Sequence, residues 1–397
     1  MGGTRPGPDF AQRVGAIAPF QVMQILEHAQ QMERAGRSVV HMEVGEPDFD
    51  TPPAVVEAGC RALQAGATKY SPSAGLPDLR AALSAHYAAD FGVQVPAERI
   101  FITPGASGAL LLASALLLEP GREALITDPG YPCNRNFIEV FGARAKPVAV
   151  GPAERYQMTA AGVRRHCGPD TRAVWAASPA NPTGTTLTPA GLAELVRACD
   201  DHGLALVMDE IYQGLVYGVG PSSVLAHTDA AYVVGSFSKY FGMTGWRLGW
   251  IVAPEAAIDA LERLSQNLFI AASTPAQVAA LAAFAPETRT ELETRREQFG
   301  VRRRLLLDGL RALGFDVEVE PEGAFYVYAG IARFGLDSAS FCDRLLAEQG
   351  VAATPGTDFG GHRADAFVRF SYTTSTAAIE RGLECIGRFV ATLAMSQ

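Results

Sequence analysis

Six short apolar runs, each closed by a turn, constrain this chain more than any other feature. They are Ile100-Phe-Ile-Thr103, Ala124-Leu-Ile-Thr-Asp128, Ala173-Val-Trp-Ala-Ala177, Ala205-Leu-Val-Met-Asp209, Tyr232-Val-Val-Gly-Ser236 and Trp250-Ile-Val-Ala253. Strands that are apolar on both faces and separated by helices belong in a mostly parallel sheet covered on both sides. The pattern predicts intervening helices over 107–118, near 133–141 and over 189–202. The last third reads differently. A charged helical stretch over 287–313 leads into Phe315-Asp-Val-Glu-Val-Glu320 and Phe325-Tyr-Val-Tyr328, then a helix over 338–348, a strand over 367–372 and a final helix from Thr376. That is an α+β layout. At 397 residues the chain exceeds the size at which one core keeps growing, so two domains are expected. A helix around 20–35 stands apart from the first sheet strand. The expected division is a large α/β domain over 47–284 and a smaller α+β domain built from both chain ends, 1–46 and 285–397.

Charge and composition exclude several roles. With 33 Lys+Arg against 42 Asp+Glu the net charge is −9, and no cluster of basic residues offers a footprint for nucleic acid or an anionic membrane. The longest apolar stretch, 109–118, is about half the length of a membrane span, and the start has no signal-like apolar core. A cytoplasmic location follows as the expectation. The six cysteines form no CxxC pair and read as small buried hydrophobes, and the seven histidines show no metal spacing, so no metal site is expected. Asp48 and Asp50 are expected to cap a helix starting at Pro53, and 287–304 to be a solvated face of interleaved charges. Trp175, Trp246 and Trp250 are core candidates.

Four segments carry chemistry. In Gly235-Ser236-Phe237-Ser238-Lys239 an apolar strand ends in small residues and a lysine, and Arg247 follows in a Gly-containing loop. Alone, Lys239 reads as a solvated charge. Two flanking hydroxyls and a guanidinium suited to a doubly charged oxyanion argue for an anion site, and a cationic neighbourhood lowers an amine pKa as a Schiff-base lysine requires. In Thr103-Pro104-Gly105-Ala106-Ser107 a strand turns into a helix, so free N–H groups of Gly105, Ala106 and Ser107 face whatever sits at the helix start. An ordinary turn with Ser107 as N-cap is the alternative. Asn181-Pro182-Thr183-Gly184 is a stiff strand end, either a tight turn or a rigidly aimed side-chain amide. Asp209 closes a buried strand and needs a cation, such as a protonated pyridine nitrogen, unless it merely caps a helix; Tyr212 lies three residues on.

Taken together, Gly45-Glu-Pro-Asp-Phe49, Tyr70 with Gly75-Leu-Pro77, the 105–110 turn, Asp128-Pro-Gly-Tyr131, Asn181-Pro-Thr-Gly184, Asp209-Glu-Ile-Tyr212, Lys239 and Val368-Arg369-Phe-Ser371 resemble the class I/II aminotransferases. These are fold-type I pyridoxal-phosphate enzymes of the aspartate aminotransferase superfamily, and the chain is most similar to its bacterial class I gamma-like subgroup. The order is kept over nearly the whole chain, and eight motifs in order are far more specific than any one. The resemblance implies a seven-stranded sheet, pyridoxal 5′-phosphate as cofactor, and ping-pong transfer between an α-amino acid and a 2-oxo acid. It also implies a homodimer with shared active sites. In those terms Lys239 carries the cofactor and shuttles the substrate proton. Asp209 pairs with the pyridine nitrogen, Asn181 and Tyr212 with the phenolic oxygen, and Tyr131 stacks on the ring. Gly105, Ala106, Ser107, Ser236, Ser238 and Arg247 belong to the phosphate site, and Tyr70 reaches the phosphate of the neighbouring subunit. Arg369 binds the substrate α-carboxylate with help from Asn181 and the Gly45 backbone, and Phe20 lies near the side-chain pocket.

One departure bears on the substrate. Aspartate aminotransferases of the similar subgroup carry a lysine near the position of Ser107, which contacts a distal carboxylate. Here that stretch has no cation and Phe20 is apolar. A neutral or aromatic amino donor is favoured, although Arg13 or arginines past Arg295 could supply a charge. The rival reactions are eliminations by the same cofactor, such as carbon–sulfur β-lysis, which share Lys239, Asp209 and Arg369. A ligand-sensing regulator would need an added DNA-binding unit, and fewer than 20 residues precede the first matched segment. An inert relative would be expected to lack Lys239 or Asp209.

Overall fold

The computed structural model describes residues 10–394. Seven strands build the main sheet: β1 (Ile100–Thr103), β2 (Glu123–Asp128), β3 (Arg144–Ala149), β4 (Thr171–Ala177), β5 (Ala205–Asp209), β6 (Tyr232–Ser236) and β7 (Gly249–Val252). Their order is β1-β7-β6-β5-β4-β2-β3, parallel except for β7, which runs against both neighbours. The inner strands β5 and β6 are buried nearly throughout, as their unbroken apolar runs require. Helices Gly105–Leu117, Pro132–Val140 and Pro189–Asp201 follow β1, β2 and β4 in the chain. β3 is not among the six apolar runs. It carries Pro147 and alternates exposed with buried residues, both marks of the sheet edge it occupies.

The smaller α+β part joins the two ends of the chain. Val40–His41 pairs in parallel with Val351–Ala352, and an antiparallel three-stranded sheet sets Phe367–Ser371 between Thr354–Pro355 and Tyr326–Gly330. Helices Gln21–Arg34, Pro286–Ala312, Ser338–Gln349 and Thr376–Ala394 belong with it in sequence. No helix among the described residues is long and apolar enough to cross a membrane.

Several local expectations fail for tertiary reasons. The run Phe315–Glu320 is not a strand, and only Asp316 makes a bridge, to Gly330. Asp48 and Asp50 do not cap the helix Pro53–Gln64, whose start has no side-chain cap. Instead Asp48 pairs with Arg302 at 2.7 Å, and the Asp50 carbonyl accepts from Arg295 at 2.6 Å. The charged helix is not solvated throughout, because Arg302 and Arg303 are buried, held by Asp48 and Glu320. Of the cysteines only Cys199 and Cys342 are buried, and Cys60 is exposed. Trp175 and Trp250 are buried, whereas Trp246 is half-buried and donates to Thr51.

Candidate active site

Parallel strands end on one edge of a sheet, and that edge collects residues far apart in sequence. Asp209 ends β5 and Ser236 ends β6; Gly105, Tyr131 and Asn181 follow the ends of β1, β2 and β4. Because β7 runs the opposite way, Arg247, two residues before its start, reaches the same edge. A cavity of about 480 Å³ opens there, within the range of small-molecule sites. The main sheet and its connections contribute Ala106, Ser107, Tyr131, Asn181, Asp209, Tyr212, Ser236, Ser238, Lys239 and Arg247 to its wall. Phe20, Gly45 and Arg369 close it from the smaller part. Of the residues singled out in the sequence, Gly105 and Tyr70 do not line the cavity. Gly105 stands just behind Arg247, and Tyr70 faces outward with 82% exposure.

The anion cradle is built around the start of the helix Gly105–Leu117. The helix begins at Gly105, not at a Ser107 cap, so the N–H groups of Gly105, Ala106 and Ser107 all belong to its unpaired first turn. Gly105 adopts φ +71°, and a Cβ there would lie 2.6 Å from Arg247 Nη2. Only glycine admits both that backbone and that guanidinium. Arg247 Nη1 donates to the Thr244 carbonyl at 2.9 Å, and the Ser238 amide donates to Ser236 Oγ at 3.0 Å. Arg247 itself stays exposed on the cavity side.

Asp209 is buried, and among the described residues its carboxylate accepts only from the Ile211 amide, at 3.2 Å. Burial raises it from 3.8 to about 6, against the pull of Lys239. An ionised carboxylate so placed calls for a cation in the cavity. Lys239 Nζ donates to the Gly45 carbonyl at 2.8 Å. Burial, reinforced by Arg247 and Arg369 and opposed by Glu46, lowers Lys239 from 10.5 to about 8, so an amine is available near neutrality. Tyr212 and Tyr326 share a hydroxyl–hydroxyl bond of 3.0 Å. Phe20 meets Tyr131 edge-on, with centroids 6.3 Å apart.

Arg369 is 3% exposed and pairs with no carboxylate among the described residues. Its Nη1 donates to Asn181 Oδ1 at 2.9 Å, its Nη2 donates to the Glu43 carbonyl and to Thr354 Oγ1, and its buried Nε has no partner. The ring of Tyr326 lies 4.3 Å from the guanidinium carbon. A buried guanidinium without a counterion is stable when an anion fills the remaining position. Sequence reasoning missed Tyr326 and the apolar wall residues Val22, Met23, Val44, Leu110 and Ile211. Nothing local marks them, since a tyrosine in an apolar strand reads as core. The geometry supports Tyr326 in one further way. A Cβ on Gly45 would lie 1.8 Å from its hydroxyl, so glycine is required where these two segments meet.

Free first-turn N–H groups beside Arg247, a buried acid, a lysine with a lowered pKa and an arginine with no carboxylate partner among the described residues surround one cavity, an arrangement suited to an enzyme that holds a phosphorylated cationic cofactor beside a carboxylate substrate. Residues 37–386 match the family described as aminotransferase class I and II, and the chain belongs to that family. It is 39% identical to a valine–pyruvate aminotransferase of Mycobacterium tuberculosis over 382 residues, 96% of this chain and 98% of the relative. It is 36% identical to an aspartate/prephenate aminotransferase of Thermus thermophilus over 384 residues, 96% and 98% of the two chains. The crystal structure of an aminotransferase from Mycobacterium tuberculosis superposes with a TM-score of 0.94 at 38% identity, covering 97% of this chain and all of the other. The protein is therefore an aminotransferase acting on amino and 2-oxo acids, not an elimination enzyme, and its family depends on pyridoxal 5′-phosphate.

Proposed function

We propose that this aminotransferase takes its amino group from a neutral α-amino acid with an apolar side chain, at active sites shared across a homodimer. The observation that carries the reading is the cavity wall. Its only basic side chains among the described residues are Lys239, Arg247 and Arg369, and the rest of the substrate end is Phe20, Val22, Met23, Val44 and Leu110. Arg13 is not part of that wall and instead donates to the Val140 carbonyl. Ser107 supplies no charge where a lysine would meet a distal carboxylate. The valine–pyruvate activity named for the Mycobacterium tuberculosis relative agrees with this donor class.

The residues fit the family's cofactor. Asp209 would face the ring nitrogen, Asn181 and Tyr212 the phenolic oxygen, and Tyr131 the ring. The first-turn N–H groups of Gly105, Ala106 and Ser107, with Ser236, Ser238 and Arg247, would hold the phosphate. When bound, pyridoxal phosphate supplies the electron sink for charge left on the substrate α-carbon. Arg369 clamps the α-carboxylate through its unpaired edge and so fixes the α C–H direction. Lys239, with its lowered pKa, takes and returns the α-proton. Tyr70 serves the neighbouring subunit. Its 82% exposure supports this, as does its setting: the segment 69–73 is bonded to 265–274, where Leu268 and Ile270 are also exposed. A division of the chain near residues 47 and 284 is supported by the cavity wall, which takes Phe20, Gly45 and Arg369 from one proposed part and Asp209 and Lys239 from the other.

The test is a half-reaction screen. Each amino acid is added to holoenzyme and loss of the bound cofactor's absorbance is followed. Valine, leucine and phenylalanine are expected to act at lower concentrations than aspartate or glutamate. A preference for aspartate of tenfold or more refutes the donor class.

A further inference from the structure

The helix Gln21–Arg34 starts without a cap of its own. Its N-cap is Phe20, whose ring cannot accept the first-turn N–H groups, and this start delivers Phe20, Val22 and Met23 to the catalytic cavity. The missing acceptor comes from 337 residues away. Asp358 is buried, and its Oδ1 accepts the Gln21 amide at 3.1 Å; its Oδ2 has no partner among the described residues. The loop that carries Asp358 is itself pinned to the turn that carries Tyr131. The Gly130 amide donates to the Phe359 carbonyl at 2.9 Å, and the Asp128 carboxylate accepts the amides of Gly361 and His362 at 3.0 to 3.2 Å. A Cβ on Gly360 would lie 1.9 Å from Asp128 Oδ1, so only glycine allows this approach. The Phe359 ring also lies 4.7 Å from the Arg369 guanidinium carbon.

Behind Phe20 lies a smaller cavity, of about 140 Å³, whose wall includes Gln21 and Asp358. Among the described residues, only Phe20 and Tyr131 line both this cavity and the catalytic one, and their rings meet edge-on with centroids 6.3 Å apart. The two rings therefore form a partition, and the space beyond would lengthen the substrate end of the site if Phe20 moved. We propose that Asp358 is a positioning residue for substrate selection: by holding the start of the helix Gln21–Arg34 it keeps Phe20 in the partition, and so sets the largest side chain that the amino donor can carry. This rests on the reading that the donor side chain points to Phe20. A ligand too large for the partitioned cavity must push Phe20 aside and break the Asp358 bond, whereas a smaller one need not.

Two carboxylates that can neither give nor take an amino group report this without catalysis. They are 3-methylbutanoate, which has the side chain of valine, and 3-(indol-3-yl)propionate, which has that of tryptophan. Their dissociation constants for the holoenzyme are measured by titration, and the ratio of the two is compared between variants. Phe20→Ala joins the cavities and is expected to favour the indole acid by at least about tenfold, the size of burying a ring. Asp358→Ala leaves no cap to break and is expected to move the ratio the same way by about fivefold, the size of one helix cap. Asp358→Asn keeps an acceptor and is expected to restore the wild-type ratio. Gln21→Pro removes the donated N–H from the other side and is expected to match Asp358→Ala. Proline fits this first helical position, and Phe20 before it is already extended. Because the ratio compares two ligands on one protein, partial unfolding does not move it. A ratio within about twofold of wild type in both Asp358→Ala and Gln21→Pro, below the smallest helix-cap effect, overturns the proposal while a shifted Phe20→Ala leaves the donor reading intact. An Asp358→Asn ratio as displaced as that of Asp358→Ala also overturns it. An unmoved ratio in Phe20→Ala overturns the proposal and the donor reading together, since the side chain then points elsewhere.

Discussion

Replacing Asp209 by asparagine has opposite effects with and without cofactor, and the structure sets the size of one of them. In the free protein the Asp209 carboxyl is buried with one N–H donor, and its pKa rises from 3.8 to about 6. A folded-state pKa above the unfolded value means that the folded protein holds this proton more tightly. The associated stability is complete below about 3.8 and is lost as the pH rises through about 6. At about 1.4 kcal/mol per tenfold, the full effect is about 3 kcal/mol. The substituted asparagine has no proton to lose and keeps the shape and the bond from Ile211. Cofactor-free D209N is therefore expected to be more stable than the wild type by up to about 3 kcal/mol at pH 7.5, with the difference closing below pH 4. Urea unfolding of both proteins across that pH range measures this directly. The holoenzyme is expected to behave in the reverse sense. A charge-assisted bond to a buried cation contributes about 1.5–3 kcal/mol, so D209N loses roughly ten- to a hundredfold in cofactor affinity or turnover. If the free proteins have equal stability at pH 7.5 and the holoenzymes equal turnover, Asp209 is only a local cap and the cation argument fails.

Three further outcomes follow from the geometry. Gly45→Ala sets a methyl 1.8 Å from the Tyr326 hydroxyl, and is expected to fold, as judged by circular dichroism, yet to lose at least tenfold in kcat/KM; wild-type kinetics would mean that the Gly45–Tyr326 approach is irrelevant to the site. Ser107→Lys adds a cation to an apolar wall and is expected to raise kcat/KM for aspartate relative to valine at least tenfold, an effect absent if the side-chain pocket lies elsewhere. Mixing Lys239→Ala and Tyr70→Phe chains is expected to concentrate both defects in one site of each heterodimer and restore the other, bringing activity towards about half the wild-type value. If subunits exchange and activity stays at the parental average, Tyr70 serves its own chain.

Much of the site was legible because its residues announce themselves locally. A short β-branched apolar run closed by a turn reads as a buried strand, and a glycine-containing turn after it reads as the start of a helix with free N–H groups. Asp209, Lys239 and Asn181 stand at such strand ends, so a parallel sheet brings them to one edge whatever the rest of the chain does. The same local logic failed where partners are distant. Arg302 and Arg303 look solvated in a charged helix, and only the approach of Asp48 and Glu320 from other segments makes their burial tolerable. Asp48 looks like a helix cap in sequence because its true partner lies 254 residues away. The edge strand Arg144–Ala149 lacked an apolar run because an edge exposes one side and admits Pro147. Tyr326 and Arg369 sit on paired strands of the smaller part, and the unpaired edge of Arg369 exists only because the fold surrounds it with a backbone carbonyl, a hydroxyl, a side-chain amide and two aromatic rings but, among the described residues, no carboxylate partner. Periodicity and turn chemistry are properties of neighbours in the chain, so the sequence alone determined six of the seven sheet strands and the groups at their ends. Burial, counterions and cavity walls depend on segments hundreds of residues apart, and for that reason only the tertiary structure decided which charges are matched and which await a ligand.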